Sequence, residues 1–303
     1  MKRNILITGG SGLIGRRLTA MLLEAGHHVA HLSRGREQTQ VPTFFWDIGK
    51  KTIDAKAFDK IDVIIHLAGA GIGDKRWSEK RKQEIMHSRV ATADMLYKAA
   101  SEAQHMPRTF ISASGIAFYG LHDKDGPYTE EDEQGDGFLA DVVRAWEQAA
   151  DNFSALDMRV VKIRTGLVLS REGGALKTMM QPVRFYVGSP LGSGKQPMSW
   201  IHLDDLCHVY IKAVEDEGMQ GVYNGVAPGV VSNKTFMAEV AKALKKPMLL
   251  PAVPEFALRI LLGEMADLVV KGTTVLPQRL TTSGFQFRYT SLTSALADIF
   301  PKK

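Results

Sequence analysis

Apolar positions in this chain fall into two alternating kinds of stretch. Short unbroken runs, among them Ile5-Leu6-Ile7, Phe44-Phe45-Trp46 and Phe110-Ile111, have the length and residue types of strands, as does the run from His28 to Leu32. The stretch from Asp62 to Ala70 is continuously apolar, the mark of a parallel strand buried on both faces. Between such runs, apolar residues recur at three- and four-residue steps. Leu18, Met21, Leu22 and Ala25 do so before Gly26, and Ile85, Val90, Leu96 and Ala99 mark a long helix from about Trp77 to Ala103. Residues 159–164 predict a sixth parallel strand and 222–225 a last short one, with a helix from Ser232 to about Lys246. The chain therefore reads as α/β, a doubly wound parallel sheet with a smaller C-terminal region.

The first strand ends in Gly9-Gly10-Ser11-Gly12-Leu13-Ile14-Gly15, where the apolar run stops and a helical pattern resumes. Gly9 lets the chain turn off the strand, Gly12 keeps a side chain away from an approaching pyrophosphate, and Gly15 lets the helix pack close to the sheet. An anion there sits on the helix N-terminus. A glycine triplet also makes ordinary tight turns; the strand before it and the helix after it favour dinucleotide binding. The second strand leads into Ser33-Arg34-Gly35-Arg36, with no acidic residue to accept hydrogen bonds from a free ribose 2′-hydroxyl. Arg34 and Arg36 carry guanidinium donors suited to a 2′-phosphate and Ser33 adds a hydroxyl, which favours NADP over NAD; two solvated loop arginines are the bland alternative.

With Thr8 leading it, this glycine spacing resembles the short-chain dehydrogenase/reductase superfamily in its extended, nucleotide-sugar-epimerase-like form, with a Rossmann-like sheet. The resemblance implies that Leu13 and Ile14 of the loop, Leu67, Ala68 and Gly69 at the end of the apolar run, and Arg89 surround the cofactor. It places Asp47 near the adenine, where a turn-forming aspartate looks the same. It makes Ser114, or else Ser112, the hydroxyl that meets the reacting oxygen; a strand-capping serine is the alternative. One departure matters. The superfamily's Tyr-x-x-x-Lys pair is missing, and anchoring the helix on Glu147 puts Leu139 and Val143 at those positions, neither able to move a proton. Tyr119 is then the nearest candidate acid.

Arg76-Trp77 with Ser88-Arg89, Trp146-Glu147, Arg164-Thr165-Gly166 and the run from Met198 to Leu206 look like the atypical branch called epimerase family proteins. That branch is named for its fold, so it implies no particular substrate. The implied plan is a dinucleotide-binding domain over 1–165, substrate-side loops and helices interleaved with the last strand over 166–250, and a small helical domain over 251–303 packed on the body. Arg164, Trp200 and His202 are candidate substrate residues; a core tryptophan and a helix-capping role for Asp205 are the structural alternatives.

The 303 residues carry 45% hydrophobic content and a formal charge of +5. The dense basic cluster, Lys75, Arg76, Lys80, Arg81 and Lys82, is interrupted by Glu79 and Glu84 and reads as a solvated helix face, so no nucleic-acid partner is expected. A single cysteine, Cys207, and nine histidines without ligand spacing predict neither a disulfide nor a metal. No apolar stretch is long enough to span a bilayer, and Met1-Lys2-Arg3 leads straight into the first strand, so no membrane association is expected and the cytoplasm is the expected compartment. Two functions remain open: an NADP-dependent oxidoreductase or epimerase-like enzyme on a small polar, conceivably nucleotide-linked substrate, or a non-catalytic NADP-binding sensor or scaffold. Monomer and homodimer are equally open.

Overall fold

The computed structural model describes residues 1–35, 40–121 and 126–301. In chain order the strands are β1 (Asn4–Thr8), β2 (His28–Ser33), β3 (Thr43–Asp47), β4 (Thr52–Ile53), β5 (Val63–His66), β6 (Thr109–Gly115), β7 (Arg159–Thr165), β8 (Leu167–Leu169), β9 (Pro197–Met198), β10 (Trp200–His202), β11 (Gly221–Gly225) and β12 (Val231–Ser232). Eight of them form one sheet in the order β11-β7-β6-β5-β1-β2-β3-β4, parallel except that β4 runs antiparallel to β3. The helices are α1 (Leu13–Glu24), α2 (Glu79–Ser101), α3 (Phe138–Asp151), α4 (Gly174–Arg184), α5 (Leu203–Glu215), α6 (Asn233–Ala243), α7 (Glu255–Leu262), α8 (Asp267–Val270), α9 (Gln278–Thr282) and α10 (Leu292–Ile299).

Successive strand residues feed opposite faces, as the two-residue period requires. Ile5, Ile7, Ile65, Ile111 and Ile163 pack with Leu18 and Leu22 of α1 and Leu206 and Val209 of α5. Leu6, Ile64, Phe110 and Val160 face the other way, onto Leu96 of α2, Ala150 of α3 and Phe153. The Phe110 and Phe153 rings stack with centroids 3.6 Å apart. A third core joins β8, α4, α6 and α10 around Trp200 and Phe236. The chain's last fifty residues add to these cores: Leu280 enters the first and Leu292 and Leu296 the third.

Some local expectations change. The long helix starts at Glu79, two residues late, because Ser78 caps it: its Oγ accepts the Arg81 amide at 3.2 Å. Within it Ile85 and Leu96 are buried, while Val90 and Ala99 are only half-buried on its flank. Trp200 and His202 form β10 beside β8, and α5 begins at Leu203 with His202 as its cap, Nδ1 accepting the Asp204 amide at 3.1 Å. Asp205 is not the cap; its buried carboxylate accepts the Arg288 and Tyr289 amides, both at 3.0 Å.

Candidate functional site

The chain leaves β1 toward β2 and β3 on one side, then returns to β5, β6 and β7 on the other. The loops after β1 and β5 therefore diverge, and the crevice between them is where open α/β sheets bind ligands. A cleft of about 980 Å³ opens there, lined by Gly9, Gly12, Ser33, Arg34, Asp47 and Ala68 among others. Three of the four loop glycines answer to the protein itself. Gly9 has φ +72°, and a Cβ on it would stand 3.0 Å from the Ala68 nitrogen. A Cβ on Gly10 would meet the His31 ring at 2.6 Å, and one on Gly15 would overlap the Gly9 carbonyl oxygen. Gly12 differs. Its φ of −71° and ψ of 173° suit any residue, and a Cβ there would meet only the Gly9 oxygen, at 3.2 Å. Its bare backbone faces open cleft, at the start of a helix with no side-chain cap and no acidic residue in its first turn. Leu13 and Ile14 follow it, half-buried, with their side chains packed on the core rather than in the cleft.

The opposite wall, Leu67 to Gly71, is held by a chain of buried hydrogen bonds that the sequence did not reveal. The Ala68 amide donates to Thr8 Oγ1 at 3.2 Å, and that hydroxyl donates to His66 Nδ1 at 2.7 Å. Thr92 Oγ1 donates to the Ser88 carbonyl at 2.7 Å and so accepts from His66 Nε2 at 3.2 Å, which fixes a neutral imidazole with its proton on Nε2. Burial pushes the His66 pKa down to about 4, and the Arg89 charge adds to this. Farther along the wall, the Ala70 amide donates to Ser88 Oγ at 3.0 Å, while Arg89 and Arg81 donate to the Ala70 and Gly71 carbonyls. Arg81 is thus not on a solvated face. It is buried, and its Nη1 pairs with Glu84 at 2.7 Å.

At the end of β2, Ser33 is half-buried and its Oγ accepts the Gly35 amide at 3.2 Å; Arg34 is exposed and lines the cleft. Arg36 lies outside the described residues. Asp47 Oδ1 accepts the Lys50 amide at 3.0 Å, the arrangement of a turn, while the residue also lines the cleft. His31, missed in the sequence, lines it too, its Nε2 2.8 Å from Thr19 Oγ1 and its pKa lowered by burial.

The candidate proton-transfer residues are gathered elsewhere, in a closed buried network. Ser114 Oγ donates to Glu147 Oε1 at 2.6 Å, and Arg164 grips the same carboxylate through Nε and Nη2, both at 2.8 Å. Tyr119 has no exposed surface; its hydroxyl donates to Asn224 Oδ1 at 2.8 Å and accepts from Arg164 Nη1 at 3.0 Å. Burial pushes its pKa up to about 12, against the opposing effect of Arg164. In this arrangement the Ser114 and Tyr119 hydroxyl protons both point at acceptors inside the protein rather than into open cleft. Ser112 is turned inward as well, donating to the Ala113 carbonyl at 2.9 Å. Arg164 is likewise an interior ion-pair residue, with its guanidinium 3.3 Å over the Phe118 ring. Trp200 is wholly buried and donates to the Gly229 carbonyl, and His202 is a buried helix cap paired with Asp298 at 3.3 Å. Where β6 meets α3 the facing positions are Gly115, Leu139 and Val143; a Cβ on Gly115 would stand 3.8 Å from Val143 Cγ2. A second cleft, about 680 Å³, opens beyond them between Ala117, Gly120, the start of α3 and the C-terminal residues Arg259, Glu264 and Lys271.

Comparison with known proteins agrees with this architecture. A model described as the NAD dependent epimerase/dehydratase family matches residues 5–224, and a domain of unknown function, DUF1731, matches residues 253–299. The epimerase family protein YfhF of Bacillus subtilis (strain 168) is 37% identical over 299 residues, 98% of this chain and 97% of its own length. An epimerase family protein of Staphylococcus aureus (strain MRSA252) is 36% identical over 304 residues, 99% of this chain and 100% of its own. Among solved structures, the human epimerase family protein SDR39U1 (isoform2) with NADPH superposes with a TM-score of 0.86 at 32% identity, covering 98% of each chain. The UDP-glucuronic acid 4-epimerase of Bacillus cereus in complex with UDP-glucuronic acid and NAD shares the fold, with a TM-score of 0.78 at 19% identity over 98% of each chain. With its glycine loop at the sheet's switch point and a family match over most of its length, this chain belongs to the NAD dependent epimerase/dehydratase family.

Proposed function

We propose that the chain is an NADP-dependent, epimerase-like oxidoreductase acting on a small polar substrate. The observation that carries the cofactor reading is Gly12: among the described protein atoms a Cβ on it would meet the Gly9 oxygen alone, at 3.2 Å, and what the bare backbone leaves open is the approach to the uncapped N-terminus of α1. Ser33 and Arg34, with no acidic residue in the stretch Ser33-Arg34-Gly35-Arg36 at the end of β2, favour a 2′-phosphate over a free hydroxyl, and a relative of 32% identity has been solved with NADPH. The nicotinamide supplies hydride chemistry when bound. The chain's own residues hold the phosphates at Gly9 to Gly15 and shape the wall at Leu67 to Gly69; the cleft beyond Leu139 holds the substrate. With the Ser114 and Tyr119 protons directed inward, a proton for the substrate oxygen comes from solvent or from an ionisable group of the second cleft, such as Asp136 or Lys271. A small molecule suffices as partner, and the reading needs no metal, nucleic acid or membrane.

Calorimetry tests the cofactor: NADPH binds about tenfold or more tightly than NADH, a difference of about 1.4 kcal/mol, and Arg34→Ala removes the preference. Equal affinities in the unaltered protein would refute the 2′-phosphate assignment. The same apolar junction of Gly115, Leu139 and Val143 favours a second reading, a non-catalytic NADP-binding sensor or scaffold. NADPH deuterated at the nicotinamide C4, incubated with small molecules that copurify with the protein, separates the two. Deuterium found in a product supports the enzyme; its absence from every copurifying compound supports the sensor.

A further inference from the structure

The second cleft holds the substrate in the reading above, and the charges around it are already matched to one another. Among the described residues two cations line it, Arg259 and Lys271, against three carboxylates, Asp136, Glu264 and Asp267. Arg259 Nε donates to Glu255 Oε1 at 2.8 Å, and its Nη2 lies 3.0 Å from Asp267 Oδ1, an ion pair without hydrogen-bond alignment. Lys271 Nζ donates to the other oxygen of Asp267 at 2.9 Å. Lys82 of α2, whose Nζ lies 5.6 Å from the centre of the Phe138 ring, is divided between Glu264 at 2.7 Å and Glu79 at 3.2 Å. Arg76 packs on Gly263, where a Cβ would stand 2.8 Å from its Nε, and does not line the cleft.

The uncharged donors are committed as well. Gln196 gives its side-chain amide to the Leu191 and Val269 carbonyls, at 2.9 and 2.6 Å. Trp77 gives Nε1 to the Ile72 carbonyl at 2.9 Å, so it offers the cleft only its ring, set edge-on to Phe138 at 5.3 Å. The uncapped start of α3 also lines the cleft, but Asp136 precedes it and Asp141 stands in its first turn, so carboxylates already answer its dipole. A nucleoside diphosphate carries a negative charge on each phosphate and is gripped by cationic donors free to turn toward it. Here it would meet carboxylates in excess, and like charges brought together reject a ligand.

We propose that Asp267 is a specificity-determining residue of this cleft: by holding both Arg259 and Lys271 it leaves no cation for a phosphate, so the substrate is a small molecule without phosphate groups rather than a sugar linked to a nucleoside diphosphate. Carboxylates only accept hydrogen bonds, so that substrate presents donors such as hydroxyls, with its less polar face on Trp77 and Phe138. This rests on the reading of the second cleft as the substrate site and adds to it the chemical class that the cleft admits.

Two variants test the role of charge. Asp267→Asn keeps the size of the side chain and removes the carboxylate that Arg259 and Lys271 share. Asp136→Asn combined with Glu264→Gln lowers the negative charge at exposed positions, leaves those pairs in place, and carries the test alone if Asp267→Asn fails to fold. Each protein is saturated with NADPH, which keeps other nucleotides out of the cofactor cleft, and titrated calorimetrically with UDP-glucose. The unaltered protein binds UDP-glucose no tighter than about 1 mM, Asp267→Asn tightens binding by about tenfold or more, and the double variant by about threefold. Micromolar binding of UDP-glucose by the unaltered protein overturns the proposal. So does a failure of the folded variants to gain affinity, which assigns the rejection to shape rather than charge. Failure of the unaltered protein to bind NADPH is a separate result, which overturns the cofactor reading and this proposal with it.

Discussion

Replacing Glu147 with alanine strands Arg164 in the interior. Three short hydrogen bonds end on this carboxylate, two from Arg164 at 2.8 Å and one from Ser114 at 2.6 Å. Bonds to a charged group are each worth about 1.5–3 kcal/mol net, which bounds the loss at roughly 5–9 kcal/mol. Water entering the vacated space recovers part of it, because Arg164 keeps its bond to Tyr119 and its contact with the Phe118 ring. The expected cost is therefore about 3–5 kcal/mol, the range for breaking a buried pair from one side. Removing both charges behaves differently. Glu147→Leu combined with Arg164→Met leaves no unpaired ion, so the double variant is more stable than Glu147→Ala alone, with a coupling energy of about 2 kcal/mol or more across the cycle. Urea unfolding followed by tryptophan fluorescence reads this directly, since Trp146 adjoins Glu147 on α3. A loss below about 1 kcal/mol in Glu147→Ala, or a double variant as unstable as the sum of its singles, would refute the account of this network as a mutually dependent interior pair.

Gly12→Val retains the fold, melting within a few degrees of the unaltered protein, and loses NADPH binding in a thermal-shift assay, because its branched Cβ fills ligand space rather than protein space; an unchanged affinity in the folded variant would remove the phosphate loop from the argument. Tyr119→Phe leaves any turnover within about threefold but costs about 1–3 kcal/mol of stability, since Asn224 Oδ1 loses its donor. A hundredfold fall in kcat with stability intact would return Tyr119 to the chemistry. The His66 pKa, near 4 when folded against about 6.5 when unfolded, means that the unfolded chain takes up the proton first as pH falls. Stability is thus fully present above pH 6.5 and declines toward pH 4, by about 3 kcal/mol from this residue. His66→Gln flattens the measured slope in that window, and a slope unchanged by the substitution would contradict the buried neutral imidazole.

The sheet and the glycine loop were legible because their signals are local: a strand's apolar run, a three-glycine spacing and a helical period all lie within about twenty residues. The same holds for the end of β2, where the lack of an acidic residue can be read directly. The buried polar networks were not legible, since their partners are distant in sequence. Arg164 looked like a substrate residue because Glu147, its actual partner, lies seventeen residues earlier on another element, and Tyr119 looked free because Asn224 is 105 residues away. Arg81 reads as a surface charge because its neighbours in sequence are lysines; the helix period that turns Lys80 outward turns Arg81 in. His66 gave no signal at all, as an apolar run with one histidine does not show that Thr8 and Thr92 bracket it.

The tie between the ends of the chain has a bearing on how the protein is made. Arg17 of the cofactor helix is gripped by Asp204 at 2.7 Å, and the neighbouring Asp205 carboxylate is satisfied by the Arg288 and Tyr289 amides, while His202 reaches Asp298 on the last helix. During translation the glycine loop emerges first and these latches last. Until residues 288–298 clear the ribosome, Asp205 has no partners for its charge and Leu280 and Leu296 are missing from two cores, so the nascent chain holds its phosphate loop on an unfinished support. Cofactor binding is then expected to follow the emergence of residues 288–298, and truncation near residue 280 is expected to weaken the support of the dinucleotide loop.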